Sequence, residues 1–289
     1  MRGLLNANKP SGITSRDVVN HVQRLVRPAK VGHAGTLDPL ATGVLVLCIG
    51  PATRLIEFVQ QMPKWYRATF VLGQQSNTED TEGNVVVLDN PHRPEIRDIE
   101  GVLPRFVGSI EQVPPKFSAL NIGGRRAYEL ARRGVPFELS PRQVTIHALQ
   151  LIRYDYPELT LEIGCGSGTY IRSLGRDIAS MLGTAAVMSS LQRTAIGEFR
   201  AEYACELAQL TSENLSSWLL PMANAVSMLR QVQLNNTDLE KIKLGLSIDN
   251  VSGNVDEKIA ALDSAGQLCA ILVHRKDGWG PLRNFAQSL

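Results

Sequence analysis

The chain has 289 residues, 44% of them hydrophobic and 20% charged, with a formal net charge of +2. That is the make-up of an ordinary globular protein, long enough for one large domain or a large one and a small one. No apolar run reaches bilayer-spanning length, the first residues lack the layout of a signal peptide, and Cys48, Cys165, Cys205 and Cys269 form no C-x-x-C pair. Membrane spans, zinc sites and disulfide frameworks are thereby disfavoured, and a reducing cytoplasmic setting is the expectation.

In chain order, the spacing of Val18, Val19, Val22 and Val26 predicts a helix over 14–26 with Ser15 as its N-cap. A buried strand is expected over 43–49, a helix over 53–60 after Pro51, and strands over 66–72 and 84–88. Residues 94–105 read as a helix with its acids on one side. Residues 113–142 are basic, punctuated by Pro and Gly, and hold one short helix around 126–132. They read as a long insertion, a kind of segment that is more often functional than idle. A strand over 159–163 and a helix over 171–182 follow, the latter with Ile171, Leu174, Ile178 and Leu182 on one face. After Leu219-Leu220-Pro221 the texture changes, and strands over 259–262 and 268–273 flank Asp263-Ser264-Ala265-Gly266. The expected division is a domain over 1–228 and a small β-rich domain over 229–289.

Charge is unevenly placed. Residues 116–142 carry Lys116, Arg125, Arg126, Arg132, Arg133 and Arg142 against Glu129 and Glu138, whereas 78–100 carry seven acids and two arginines. A basic segment of this kind suits a phosphate backbone, or equally a solvated helix face. The final unit, from 230 on, balances seven basic against seven acidic side chains.

Two glycine-rich stretches bear on function. The first, Leu161-Glu162-Ile163-Gly164-Cys165-Gly166-Ser167-Gly168-Thr169-Tyr170, is spelled like the cofactor loop of S-adenosylmethionine methyltransferases. That loop needs an acid roughly 20 residues on to hold ribose hydroxyls. No Asp or Glu lies between Asp177 and Glu198, and too little chain follows for the remaining βα units. The second runs from Val31 to Leu45 and places Asp38 before Pro39, among Gly32, Gly35 and Gly43, directly ahead of a buried strand. Small residues around one carboxylate make either a crevice floor or an ordinary Asp-Pro turn.

The second stretch resembles the signature of bacterial tRNA pseudouridine synthases that modify the T-arm uridine. Lys9-Pro10-Ser11-Gly12-Ile13-Thr14-Ser15 is similar to the opening of that family. Further matches are Trp65-Tyr66-Arg67-Ala68, Thr78-Glu79-Asp80, Pro114-Pro115 with Phe117-Ser118-Ala119-Leu120, and Ala127-Tyr128-Glu129-Leu130-Ala131-Arg132. Gly168-Thr169-Tyr170-Ile171-Arg172-Ser173-Leu174 and Leu191-Gln192-Arg193-Thr194 complete a likeness that covers roughly residues 4–200. The resemblance implies an α+β fold: a mixed, mostly antiparallel central sheet flanked by helices, with the basic insertion and a small C-terminal PUA-like domain.

It also implies a reaction. The glycosidic bond of a uridine breaks, the uracil turns while bound, and C5 joins the sugar, with no cofactor and no metal. The chemistry asks for one carboxylate acting as nucleophile or base, and the resemblance assigns it to Asp38; attack on the sugar, addition to the base and removal of a sugar proton all stay open. A glycosidase would want two flanking carboxylates, and none but Asp38 lies between Asp17 and Glu57. By the same resemblance Arg172 pairs with Asp38, Tyr66 stacks on the flipped base, and Tyr170 and Leu191 line the uracil pocket. His33 and Lys9 contact substrate, and Arg125, Arg126 and Arg132 grip the tRNA. Asn121 stands where family members often carry lysine. A related guide-RNA-dependent synthase and, from a different class, an RNA-binding or folding protein in which catalysis is secondary are the alternatives; the implied partner is tRNA, with no protein partner, no membrane, and a monomer.

Overall fold

The computed structural model describes residues 1–286. Strand β1 (Gly3–Lys9) leads into helix α1 (Ser15–Leu25), the short β2 (Val31–His33) and β3 (Thr42–Ile49). A 3-10 turn over Gly50–Leu55 and helix α2 (Ile56–Gln61) precede β4 (Lys64–Leu72) and the hairpin β5 (Gln74–Ser76) and β6 (Val85–Val87). Helix α3 (Ile96–Val102) and β7 (Gly108–Gln112) follow, then an arm holding β8 (Asn121–Ile122), β9 (Arg125–Arg126) and α4 (Ala127–Arg132). The chain returns through β10 (Arg142–Asp155), β11 (Glu158–Cys165), α5 (Ile171–Met181) and β12 (Ala186–Ile196). Short strands β13 (Phe199–Arg200), β14 (Cys205–Glu206) and β15 (Leu219–Leu220) lead to β16 (Arg230–Gln233), α6 (Asn236–Lys243), β17 (Ile259–Leu262), β18 (Leu268–Arg275) and β19 (Gly278–Asn284).

The central sheet runs β14-β1-β3-β12-β4-β11-β10-β7, with β13, β15 and β2 paired on β12, β1 and β3. Only β1 with β14 and β3 with β12 are parallel pairs, so the sheet is mixed and mostly antiparallel. Strand β3 is apolar and buried from Val44 to Ile49 because both its faces are covered. Leu45, Leu47 and Ile49 pack with α1, while Val44, Val46 and Cys48 pack with α2 and with Ala260, Leu268, Ile271 and Phe285 of the C-terminal segment. A separate core over β4, β11 and β12 takes in Phe70, Leu161, Ile163 and Met188 and is covered by Leu174 and Ile178 of α5. The second sheet, β16-β17-β18-β19, thus shares one face with the main body and covers the other with Ile242 of α6.

Local details differ from the sequence reading where a side chain has another task. The N-cap of α1 is Thr14, in a capping box with Asp17, because the Ser15 hydroxyl is turned inward to the Leu37 backbone. The helix expected over 53–60 begins as a 3-10 turn, and the one over 94–105 ends at Val102 before a second 3-10 turn containing Pro104. Strand β1 leaves no period-two pattern in the sequence, because five consecutive residues are buried and no alternation survives. Two bulges break the alternation of β12 in the same way.

Candidate active site

Asp38 lies in the loop between β2 and β3, and that loop is built from below. Lys9 donates from Nζ to Pro10 O at 2.9 Å, Pro39 O at 3.1 Å and Ala41 O at 2.7 Å. Gly12 N donates to Pro39 O and the Ser11 hydroxyl to Leu40 O. Ser15 Oγ accepts from Leu37 N at 2.9 Å and donates to Leu37 O at 3.1 Å. From the other side Arg193, 1% exposed, donates to Val44 O at 2.7 Å and Gly35 O at 3.0 Å. Gly43 lets β3 start against β12: its φ is +97°, and a Cβ there would overlap the Arg193 backbone.

The carboxylate itself is held from α5. Arg172 Nε stands 3.1 Å from Asp38 Oδ2 and Nη2 stands 3.4 Å from Oδ1, a two-pronged contact. The same guanidinium donates to Thr78 O at 2.8 Å and Phe117 O at 3.0 Å and lies 3.5 Å from Asp80 Oδ2. Asp80, 2% exposed, is fixed in turn by the Thr78 hydroxyl and by Glu82 N. One helical turn on, Arg176 pairs with Glu79 and donates to Val113 O, and Ser173 donates to Glu79. Arg172 is thus a hub joining the Asp38 loop, the 78–82 turn and the root of the basic arm. A third of the Asp38 side chain stays accessible, against 7% of Arg172, so a substrate can reach the carboxylate but not displace its partner. Burial pushes the Asp38 carboxyl above its ordinary value, and Arg172 works against that shift.

The other expected pocket residues fall around this pair. Tyr66 on β4 and Leu191 on β12 are 8% and 7% exposed and share a core cluster with Leu37 and Ala41, the neighbours of Asp38. Tyr170 is the N-cap residue of α5; its N–H donates to Gln112 Oε1 at 2.8 Å and its carbonyl accepts from Gln112 Nε2 at 3.1 Å. His33 ends β2, and burial together with Arg16 and Arg193 lowers its pKa, leaving the imidazole neutral at pH 7. Arg125, Arg126 and Arg132 are exposed on the arm, with Arg126 also donating to Ala119 O and Arg132 lying over the Tyr128 ring. Asn121 accepts from Gly124 N and closes the β8–β9 turn.

Lys9 requires a correction. It is fully buried, its ammonium is occupied by three backbone carbonyls, and its pKa is lowered to about 8 by burial. No donor remains to touch a substrate, and Lys9 belongs to the foundation of the Asp38 loop. Asp80, Gln112 and Arg193 lie in quoted or neighbouring stretches but received no role from the sequence. Their signal is spatial: each is a buried polar side chain with a partner tens of residues away, Arg172 for Asp80, Tyr170 for Gln112 and Val44 for Arg193.

A family model described as "TruB family pseudouridylate synthase (N terminal domain)" matches residues 23–171. The chain belongs to the TruB family. Its relatives include a "tRNA pseudouridine synthase B" of Clostridium kluyveri, 40% identical over 252 residues and 87% of each chain. Another of that description, from Dehalococcoides mccartyi, is 38% identical over 290 residues, covering 99% of this TruB-family chain and 97% of the relative. Among solved structures, one titled "Structure of H/ACA RNP bound to a substrate RNA containing 2'-deoxyuridine" shares the fold, with a TM-score of 0.76 at 22% identity over 98% of this chain and 84% of the other. Among the described residues, no helix is long and apolar enough to cross a membrane.

Proposed function

We propose that this TruB-family chain isomerises uridine to pseudouridine in the T-arm loop of tRNA, at position 55. The observation that carries the reading is an accessible carboxylate, Asp38, gripped by the buried Arg172 in a family of pseudouridylate synthases. Relatives named tRNA pseudouridine synthase B, similar over most of their length, support tRNA as the substrate.

In this reading the target base leaves its stack at a cost of roughly a few kcal/mol and enters a slot between Tyr66, Tyr170 and Leu191. Asp38 acts as nucleophile or base in breaking the C1′–N1 bond, and Arg172 keeps it ionised and aimed. The uracil turns in place, C5 bonds to C1′, and Tyr66 assists loss of the C5 proton. His33 contacts the RNA near the target. Arg125, Arg126 and Arg132 contact its phosphates, a grip that weakens with salt. Residues 229–289 serve as a PUA-like RNA-binding unit beside the catalytic domain, 1–228, and the protein works as a monomer.

The test is tritium release from C5-labelled uridine in an unmodified tRNA transcript, with no cofactor or guide RNA added. The wild type should release tritium. Asp38→Ala should release essentially none while still binding the transcript. An active Asp38→Ala, or a requirement for a guide, would overturn the reading.

A further inference from the structure

Three cations lie buried beneath the pocket: Lys9 at 0%, Arg193 at 1% and Lys64 at 7% exposure. Among the described residues no carboxylate stands within 4 Å of any of them. Burying a charge without a counter-ion is costly, and such groups persist where they have a task. Lys64 caps the end of α2 through Gln60 O and Met62 O, and Lys9 closes the Asp38 loop. Burial lowers both ammonium groups to about 8. Arg193 differs, because a guanidinium stays charged at any working pH.

Its placement is specific. Arg193 is the direct cross-strand partner of Tyr66 in the β12–β4 ladder, so both side chains stand on one face of the sheet. The charged and titratable groups bearing on Tyr66 are Arg193, Cys165 and Asp38, of which Arg193 is the cation. The Cys165 thiol is itself pushed up to about 11 by burial. Burial raises the Tyr66 phenol, and Arg193 opposes that rise. Nε and Nη2 are fixed by Val44 O and Gly35 O, so the guanidinium cannot swing away from the ring.

We infer that Arg193 is a positioning residue for Tyr66: it fixes the phenol against the flipped base and stabilises the phenolate that takes the proton from C5. The inference rests on the proposed reaction. After C5 has joined C1′, the C5–H bond breaks and its proton passes to the Tyr66 oxygen. The electron pair re-forms C5=C6, the C6=N1 pair returns to N1, and N1 takes a proton from solvent. The phenol then returns its proton to water. Nothing is oxidised or reduced.

The experiment compares single-turnover rates on tRNA transcripts carrying protium or deuterium at C5 of uridine, for wild type, Arg193→Gln and Arg193→Lys. Arg193→Gln should slow pseudouridine formation by at least ~10-fold and enlarge the C5 isotope effect, because proton loss becomes limiting. Arg193→Lys, which keeps the charge, should recover part of the rate. In a Tyr66→Phe background neither substitution should slow the reaction further. An isotope effect unchanged from wild type, or full additivity with Tyr66→Phe, overturns the inference, since either means that Arg193 acts through the Asp38 loop alone. Should Arg193→Gln fail to fold, the Arg193→Lys and Tyr66→Phe pair decides by the same criterion. A wild type that converts no uridine would instead sink the functional reading.

Discussion

At the scale of single residues, burial and the Arg172 guanidinium pull the Asp38 carboxyl in opposite directions. Burial favours its neutral acid, and the Arg172 fork favours the carboxylate; Asp80, a second negative charge behind the same guanidinium, adds to the upward push. As pH falls, the carboxylate is therefore protonated before the ordinary aspartate value of 3.8 is reached. The acid limb of kcat/KM should fall with a midpoint higher than that, and Asp80→Asn should move the midpoint down because a like charge has been removed. A pH profile of C5 tritium release checks both; an acid limb unmoved by Asp80→Asn would show that Asp80 acts only by holding Arg172. The pairing of Asp38 with Arg172 was legible in the sequence because both sit in short motifs. Lys9 was legible as a residue but not in its role, since the chain does not reveal that Nζ finds Pro39 O and Ala41 O across 30 and 32 positions.

At the scale of elements, the site depends on how closely α5 lies on β4. Gly175 sits over the Phe70 ring, and a Cβ added there would overlap that ring, itself 1% exposed and without room to retreat. Arg172 is one turn earlier on the same helix, so any lift of α5 is transmitted to the Asp38 pair. Gly175→Ala should destabilise the fold by about 1–3 kcal/mol, read as a lower urea midpoint, and should reduce kcat; wild-type values for both would refute the close-packing argument. The glycines of the 161–170 stretch serve the same geometry: β11 ends at Cys165, Gly168 takes a φ of +84°, and α5 begins at Ile171. Helices with a clear apolar stripe, such as α1 and α5, were foreseeable from spacing. Strands β1 and β12 were not, because burial on both faces or a bulge erases the period of two.

For the molecule as a whole, the C-terminal sheet is not an appendage on a linker. Ile271, Leu268 and Phe285 lie in one buried cluster with Val44, Val46 and Phe58 of the body. Ile271→Asp would place an unpaired charge in that shared core at a cost on the order of 3 kcal/mol. It should lower the thermal midpoint of the entire protein rather than melt 229–289 alone. Calorimetry of wild type and variant checks this, and a separate early transition with the main one unmoved would show the two parts to be energetically independent. The change of texture after residue 221 precedes the second sheet, β16-β17-β18-β19, but composition carries no trace of which face of it would be buried against which strand.

The arm leaves β7 and re-enters at β10, strands that pair with each other at the rim of the sheet, with Gln112 opposite Arg142. Its ties to Arg172 and Arg176 run through the carbonyls of Phe117 and Val113, which any amino acid could supply. Those two ties are made by main chain and place no demand on the side chains of Phe117 and Val113. The exposed part of the arm can thereby be lengthened or recharged without shifting the register of a single strand beneath the Asp38–Arg172 pair.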